Sequence, residues 1–312
     1  RTRRAATWRR TWRDGMSDRQ PSFERVSTIF ERVKANVQGR TDAPALPCGI
    51  PPLDQAIRGL PQGKVTILAA RTTEGKTSLG IQIAANLADC GKTVAYITLE
   101  DDRESLVERL YCQMARVDHG RLLAGQLSAL EHPAMPRVFE QLRLLVLDNY
   151  GYNMRELETV MASLAPPPDV VFVDYAQMID QAQRETEYEA ISRFVRDVKV
   201  FAERHRIAVV LLSQINRVGA RDGRPQLHHL ASCGRLEQVA NLVLLLFAPR
   251  FYDMASYDYD PTSGRGLKDC PREYVELEIA KNKTGRRNVI VPLRFIGSQY
   301  RFEAWHVDQE SV

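Results

Sequence analysis

Residues 65–77 of the chain read Val-Thr-Ile-Leu-Ala-Ala-Arg-Thr-Thr-Glu-Gly-Lys-Thr, and this stretch decides the fold. The nearly continuous apolar run at 65–70 predicts a buried strand, and the apolar stretch at 76–88 predicts a helix. Between them, residues 70–77 fit the phosphate-binding pattern G-x-x-x-x-G-K-[ST], with Ala70 where the first glycine would stand. A chance Gly-Lys-Thr at an ordinary turn is the alternative, but the flanking strand and helix favour a phosphate-binding loop.

The residue types of this loop match the chemistry of phosphate binding. Backbone N–H groups of the loop and of the helix N-terminus would point at an anion, and Gly75 would let the backbone approach it closely. The Lys76 ammonium would neutralise the β- and γ-phosphate oxygens, and the Thr77 hydroxyl would complete a Mg²⁺ shell. The predicted nucleotide-binding residues are Ala70, Arg71, Thr72, Thr73, Glu74, Gly75, Lys76, Thr77 and Ser78.

A metal-binding carboxylate is expected at the same edge of the sheet. The apolar run at 170–173 is followed by Asp174, at the carboxyl end of a strand, where ligands bind in open parallel sheets. Asp174 would hold Mg²⁺ through water, or it would only cap its strand. Residues 144–148 have the same pattern and end in Asp148, so the preference for Asp174 depends on the residues that follow it.

Two more strands end in candidate catalytic residues. Glu100 follows the predicted strand at 93–99 and could polarise the attacking water of a hydrolysis, or it could serve only as a charge at the start of a helix. Gln214 follows the predicted strand at 207–212 and could sense the γ-phosphate, although a polar strand end is the simpler interpretation.

The rest of the chain alternates between strands and helices. Continuous apolar strands separated by helices predict an α/β fold with a mostly parallel sheet that is covered on both faces. The last part, 274–302, instead shows three short strands joined by turns, which predicts an antiparallel meander at the edge of the sheet. Predicted helices cover 22–37, 76–88, 103–116, 154–164 and 185–206, and predicted strands cover 65–70, 93–99, 144–147, 170–173, 207–212, 274–280, 289–295 and 300–302.

The 312 residues carry a formal net charge of +4, but the excess lies in a short N-terminal stretch. Residues 1–15 hold six arginines and one aspartate, so the remaining chain is close to neutral and its bulk charge does not argue for a nucleic-acid partner. We expect these residues to be a disordered or non-native tail before Met16; an Arg-rich targeting sequence is the alternative.

Cysteine usage and apolar runs bear on the compartment. The five cysteines are widely spaced, with no Cys-x-x-Cys pair or Cys/His cluster, which argues against a zinc site or a disulfide framework. This pattern favours a reducing, cytoplasmic compartment. No apolar run reaches the ~20 residues that a membrane-spanning helix needs, so no membrane partner is expected.

Taken together, the motifs resemble the RecA-like helicase domain of DnaB-type replicative helicases. That family's phosphate loop also has alanine at its first position, so Ala70 is no objection. Leu99-Glu100 matches the family's catalytic glutamate motif, and Asp-Tyr-Ala-Gln at 174–177 resembles its Walker B motif, which favours Asp174 over Asp148. The resemblance runs in order from about 49 to 303, with further matching segments at 49–54, 189–193, 212–217, 224–225, 237–238, 280–285 and 295–297.

The resemblance implies an oligomeric ring, usually a hexamer, with ATP and Mg²⁺ between subunits and single-stranded DNA threaded through the centre. It implies catalytic roles for Lys76, Glu100 and Gln214, and Lys281 and Lys283 fall where a neighbouring subunit supplies a cation. A primase or a loader protein is an expected partner. The expected organisation is a basic tail at 1–15, a linker helix and linker at 16–48, the ATPase and helicase domain at 49–305 and a tail at 306–312.

Two departures from the family pattern affect this expectation. Lys283 stands where the family generally has arginine, and lysine cannot form a planar bidentate contact with phosphate; Arg286 or Arg287 could take its place. The turn that usually reads Arg-Glu-Ser-Gly is Ala-Ser-Cys-Gly at 231–234, and it loses an arginine expected to bind DNA. The residues that remain for DNA contact are Arg217, Arg221, Arg224, Gly234 and Arg235.

The leading hypothesis is an ATP-driven helicase that translocates on single-stranded DNA and unwinds duplex during replication. The alternative is a nucleotide-regulated assembly or loading ATPase with weak or no unwinding, which Lys283 and the neutral turn at 231–234 motivate. A strand-exchange ATPase on the same fold is less favoured, because the segments at 174–177 and 212–217 resemble those of helicases.

Overall fold

The computed structural model describes residues 24–38, 46–126, 132–148, 154–174, 186–215, 224–230, 234–251 and 270–306. Several predicted features lie outside these ranges: the N-terminal tail, the C-terminal tail after His306, Arg217 and Arg221, and the segments 175–177 and 231–233.

A nine-stranded mixed sheet forms the centre of the described fold. Its strands are β1 (Val65–Ala70), β2 (Val94–Thr98), β3 (Leu144–Asp148), β4 (Val170–Asp174), β5 (Ala208–Gln214), β6 (Leu242–Phe247), β7 (Tyr274–Asn282), β8 (Val289–Ile296) and β9 (Arg301–Ala304). They lie in the order β3-β2-β4-β5-β1-β6-β7-β8-β9. The pairs among β1 to β6 are parallel and those from β6 to β9 are antiparallel, which confirms the predicted parallel sheet with a meander at its edge.

The strand that leads into the phosphate-binding loop lies inside the sheet. β1 has β5 and β6 as neighbours, and all six of its residues are buried. A strand with both faces buried is apolar almost throughout, because neither face is solvated; Thr66 is the one polar residue of β1. The parallel register aligns Ala70 with Gln214, so the carboxyl ends of β1 and β5 meet at one edge of the sheet.

Helices cover both faces of this sheet. The helices of the described chain are α1 (Val26–Gln38), which is exposed, α2 (Pro51–Ile57), α3 (Lys76–Asp89), α4 (Arg103–Ala115), α5 (His119–Leu123), α6 (Met135–Gln141), α7 (Met154–Ser163), α8 (Glu187–His205) and α9 (Gly234–Val239). One apolar cluster packs Leu79 and Ile83 of α3 on the sheet, and a second packs Phe194 and Val198 of α8 on the other face. Among the described helices, none is both long and apolar enough to cross a membrane.

Local chemistry sets two boundaries that the sequence pattern placed slightly differently. The predicted helix at 185–206 begins at Glu187, because Thr186 and Glu189 form a reciprocal capping box. The predicted strand at 300–302 begins one residue later, since Tyr300 has a φ of +53° and ends a short 3₁₀ turn.

The segment before β1 is fastened to α3. Asp54 accepts hydrogen bonds from the backbone N–H groups of Cys48, at 2.7 Å, and Gly49, at 2.9 Å. Asn86 of α3 donates to the Cys48 carbonyl at 2.9 Å. Gly49 has a φ of +73°, and a Cβ there would lie 2.4 Å from Asn86 Nδ2. These contacts position the chain that enters the phosphate-binding loop.

Candidate nucleotide-binding site

The loop between β1 and α3 has the backbone of an anion-binding site. Gly75 has a φ of +94°, a left-handed conformation that L side chains rarely adopt. A Cβ at this position would lie 2.9 Å from Phe302 Cζ and 3.3 Å from Phe295 Cζ, so the loop rests on two aromatic rings. Within the described chain no side chain caps α3, and its first N–H groups and positive dipole end therefore suit an anion.

Lys76 and Asp174 meet beneath this loop. Lys76 Nζ lies 3.1 Å from Asp174 Oδ1, and the two side chains are only 8% and 2% exposed. Tyr96 Oη donates to Asp174 Oδ2 at 2.9 Å. Burial, together with the charge of Asp174, raises the pKa of Tyr96 well above its ordinary value, so the phenol remains a donor at neutral pH. Because both carboxylate oxygens have protein partners, Asp174 suits a contact with Mg²⁺ through water.

Asp148, the alternative to Asp174, lies two strands away at the end of the edge strand β3. Its carboxylate pairs with Arg103 Nε at 2.9 Å. The register aligns Asp148, Thr98 and Asp174 across neighbouring strands, so all three end at the same edge. Asp148 and Asp174 are apart because β2 lies between β3 and β4 in the sheet. The apolar run before each residue does not reveal this strand order.

Glu100 lies at the rim of the site, after β2. Thr98 Oγ1 donates to the Asp101 carbonyl at 2.7 Å, and the Leu99 N–H donates to the Asp174 carbonyl at 2.6 Å, so this turn is held against β4. Burial raises the pKa of Glu100 above its ordinary 4.5, and Asp174 adds to that effect while Lys76 opposes it. The residue that caps α4 is Asp102, whose side chain accepts the Ser105 N–H at 2.7 Å.

A cavity of about 410 Å³ opens over the loop and collects most of the predicted nucleotide-binding residues. Ala70 and Glu74 are instead buried, and Glu74 Oε2 accepts the Arg71 N–H at 3.3 Å, so these two residues shape the loop from inside. The predicted residues that line the cavity are Arg71, Thr72, Thr73, Gly75, Lys76, Thr77, Ser78, Glu100 and Gln214.

Other residues that line the cavity are ones for which the sequence indicated no role. They include Arg109, Phe295, Gly297 and Tyr300. The Arg109 guanidinium carbon lies 5.6 Å from the centre of the Tyr300 ring, and its Nη1 is 2.6 Å from Asp101 Oδ2. A cation stacked near an aromatic ring suits the planar base of a nucleotide. The segment 295–297 matched the family pattern, but Arg109 gave no signal because its partner Tyr300 is distant in the sequence.

The two lysines predicted to act on a neighbouring subunit lie at the opposite end of the sheet. Lys283 N–H donates to the Asn241 carbonyl, and Asn241 N–H donates to the Val65 carbonyl at the amino end of β1. The phosphate-binding loop begins about 16 Å further along β1, at ~3.3 Å per residue. Lys281 Nζ donates to the Glu237 carbonyl at 2.5 Å, and burial lowers its pKa. Neither lysine reaches the phosphate loop of its own chain.

The residues predicted to bind DNA have different surroundings. Gly234 and Arg235 are exposed at the start of α9. Arg224 pairs with Glu276, Nη2 to Oε2 at 2.8 Å, and its side chain is 31% exposed. Arg217 and Arg221 lie outside the described residues, so their predicted contacts stay predictions.

A glycine-containing loop, a buried lysine and a strand-end carboxylate around one cavity define a phosphate-loop nucleotide-binding domain. Residues 45–304 match the family model of the DnaB-like helicase C terminal domain. The chain belongs to that family, as the motifs predicted.

The chain is similar to bacterial replicative helicases. It is 24% identical over 295 residues to the replicative DNA helicase DnaC of Bacillus subtilis, and 30% identical over 216 residues to a probable plasmid replicative DNA helicase of Chlamydia psittaci. These alignments cover 90% and 66% of this chain but 62% and 47% of those proteins, so the chain spans about three fifths or less of their length.

Two solved structures have the same fold. One, described as an ATPase domain, superposes with a TM-score of 0.79 at 21% identity, covering 91% of this chain and 100% of that one. The other, a DnaB-like replicative helicase described with its interactions with primase, superposes with a TM-score of 0.75 at 20% identity, covering 98% of this chain and 77% of that one. The predicted RecA-like fold is thereby confirmed.

Proposed function

We propose that this chain is the motor domain of a DnaB-like helicase, which hydrolyses ATP, translocates on single-stranded DNA and unwinds duplex during replication. One observation carries the proposal: Lys76, which lines the cavity together with Glu100 and Gln214, lies 3.1 Å from the buried Asp174. Membership of the DnaB-like helicase family supports the proposal that ATP hydrolysis at this site drives a helicase.

Each residue of the site has a distinct role in hydrolysis. The loop N–H groups and Lys76 bind and neutralise the phosphates. Thr77 and, through water, Asp174 would hold Mg²⁺, which when bound supplies positive charge against the negative charge that develops on the phosphate oxygens. Glu100 accepts the proton of the attacking water. Gln214 donates a hydrogen bond towards the γ-phosphate from the end of β5.

The nucleotide base would occupy the other end of the cavity. Arg109 and Tyr300 offer a flat wall, and Tyr300 Oη lies 2.9 Å from His119 Nδ1, which fixes the ring. A base that stacks there would leave the phosphates directed at the N-terminus of α3.

The proposed assembly is a homo-hexameric ring with single-stranded DNA in its centre. Lys283, or Arg286 or Arg287 on the same exposed turn, acts on the nucleotide of a neighbour, and Lys281 is positioned beside it. The linker helix α1 exposes an apolar face that a neighbouring subunit would cover; it comprises Val26, Ile29, Phe30 and Val33. DNA phosphates would contact Gly234 and Arg235.

Partners and compartment follow the same proposal. The related helicase that was described with primase supports a primase as a partner of this chain, and a loader protein is the other candidate. Cys48, Cys90, Cys112 and Cys270 are free thiols, which supports a reducing, cytoplasmic location. The domain organisation we propose remains a linker region at 16–48 and a motor domain at 49–305.

The decisive experiment measures ATP hydrolysis by the full chain with and without single-stranded DNA, together with unwinding of a forked duplex. We expect Mg²⁺-dependent hydrolysis that DNA stimulates, and we expect Lys76→Ala to lose nucleotide binding and at least ~100-fold in turnover. Lys64→Ala is the control, because the Lys64 side chain is 42% exposed and pairs with Glu203 at 3.2 Å. Hydrolysis that ignores DNA, with a fork that never opens, would overturn the proposal.

An assembly or loading ATPase is the second candidate. The observation that favours it is the ion pair between Arg224 and Glu276, because this pair occupies one of the few cations that could bind DNA. An ATPase of this second kind would form oligomers in the presence of ATP, would hydrolyse ATP slowly and would not bind DNA. Tight single-stranded DNA binding that weakens steeply with salt would exclude it.

A further inference from the structure

Arg224 is the first residue of the described segment 224–230, and it lies against the central sheet. Its Nη2 is 2.8 Å from Glu276 Oε2, and its guanidinium carbon is 5.7 Å from the centre of the Phe247 ring. The Glu276 side chain is only 5% exposed, and Tyr274 Oη donates to its other oxygen at 3.0 Å. A carboxylate this buried depends on a cationic partner, because removing that partner leaves an uncompensated charge.

A second carboxylate also attracts the Arg224 guanidinium. Glu278 lies two residues along β7, on the same face as Glu276, and is half-buried. Burial raises its pKa, Glu276 adds to the rise, and Arg224 opposes it. A DNA phosphate would therefore have to draw Arg224 away from two carboxylates at once.

The segment that begins at Arg224 is tied to the sheet at its other end as well. Leu230 forms an antiparallel bridge with Ile215, and the Ile215 N–H donates to the Ala70 carbonyl at 3.0 Å. Pro225 and Leu230 are buried. Residues 224–230 are thus fixed to β7 at one end and to the ends of β5 and β1 at the other, a few residues before the exposed Gly234 and Arg235.

We propose that Arg224 is a positioning residue and not a phosphate ligand: its ion pair with Glu276 holds residues 224–230 on the sheet, and through them sets where Gly234 and Arg235 meet DNA. The part of this proposal that concerns DNA binding rests on the proposed function. The anchor itself can be tested without DNA.

The first measurement is backbone amide exchange of residues 224–230 in wild-type protein and in Glu276→Gln, which keeps the shape of the side chain and removes its charge. We expect at least about tenfold faster exchange in that segment, because the anchor is lost. Glu203→Gln is the control, since it breaks an exposed ion pair on α8 and should leave the segment unchanged. Unchanged exchange in Glu276→Gln would overturn the anchor whether or not the protein binds DNA. If that variant does not fold, Arg224→Gln/Glu276→Gln, which removes both charges, replaces it.

The second measurement is the Kd for single-stranded DNA over a series of salt concentrations. We expect Glu276→Gln and Arg224→Gln each to weaken binding about tenfold, with no further loss in the double variant, because both remove one ion pair. If Arg224 bound a phosphate, Glu276→Gln would free it and strengthen binding, and Arg224→Gln would lower the salt slope by about 0.7. Either result overturns the proposal.

Measuring ATP binding distinguishes a positioning role of the Arg224–Glu276 ion pair from a general loss of structure in the variant. Glu276 does not line the cavity, so we expect the Kd for ATP and hydrolysis without DNA to stay at wild-type values in Glu276→Gln, while stimulation by DNA falls. Parallel loss of ATP binding would overturn the assignment. Wild-type protein that binds no DNA would contradict the proposed function, and the exchange result would still decide the anchor.

Discussion

Glu100 and Asp102 lie two residues apart in one turn, yet their surroundings shift their pKa values in opposite directions. The Ser105 N–H lowers the pKa of Asp102, which caps α4, whereas burial raises that of Glu100, which lines the cavity. A carboxylate with a raised pKa accepts a proton more readily than an ordinary one. The opposite pKa shifts of these two carboxylates distinguish the capping residue from the catalytic candidate. The sequence shows only two acidic residues and does not make this distinction.

The raised pKa predicts the pH dependence of hydrolysis. Glu100 must be deprotonated to act as a base, so turnover should rise with pH through a pKa that is higher than the ordinary glutamate value of 4.5. Asp101→Asn removes a neighbouring negative charge that raises this pKa, and the acid limb of the profile should move to lower pH. A pH–rate profile of kcat checks the shift.

Two variants control this prediction. Glu100→Gln should retain nucleotide binding, lose about 100-fold or more in turnover and lose the acid limb. Asp102→Asn should leave the limb in place, because the charges that shift the pKa of Glu100 are those of Lys76, Asp174, Asp101 and Arg109. An acid limb that persists in Glu100→Gln would assign the base to another group.

At the level of secondary-structure elements, the phosphate-binding loop depends on strands that follow it by more than 200 residues. Phe295 and Phe302 stack with ring centres 4.5 Å apart beneath Gly75. Gln82 of α3 exchanges two hydrogen bonds of 2.7 Å with the backbone of Phe302, which ties β9 to the helix. The terminal meander is therefore part of the nucleotide site.

Gly75→Ala tests this dependence. The new methyl group meets a left-handed backbone, which costs about 1–2 kcal/mol, and it also collides with Phe302 at 2.9 Å, for which overpacking adds about 1–3 kcal/mol. Gly91→Ala is the matched control: its φ is +77°, but nothing lies within 4 Å of the added carbon. Urea unfolding should show a larger loss for Gly75→Ala, with weakened ATP binding in that variant alone. Equal losses would contradict the role of the two rings.

These elements also show how far the sequence could be interpreted. The buried strands and the loop were predictable, because a parallel strand that is buried on both faces is nearly all apolar and because Gly75, Lys76 and Thr77 keep a fixed spacing. The rings under Gly75, the Arg109–Tyr300 wall and the ion pair of Arg224 were not. Each depends on contacts between distant segments, and neither periodicity nor local motifs report such contacts.

At the scale of the whole molecule, the phosphate-binding loop and the cations proposed to act on a neighbouring chain lie at opposite ends of the sheet. The phosphate-binding loop follows the carboxyl end of β1, and the turn with Lys283, Arg286 and Arg287 lies beside its amino end. A single chain cannot bring these groups together, but a head-to-tail arrangement of identical chains can, and such heterologous contacts close into rings when the rotation permits. If the cations of this turn act on a nucleotide, as proposed, that nucleotide must be bound by a neighbouring chain.

Mixing two inactive variants tests that argument. One is Lys76→Ala, and the other replaces the three exposed cations of the turn, Lys283→Ala/Arg286→Ala/Arg287→Ala. In an equimolar ring, about one quarter of the interfaces combine an intact loop with an intact turn, so the mixture should recover roughly that fraction of wild-type turnover. A mixture of Lys76→Ala with Glu100→Gln should recover nothing, because both changes damage the same side of the interface. Turnover equal to the sum of the two parents in the first mixture would mean that each chain completes its own site, against the separation of about 16 Å between the two ends of β1.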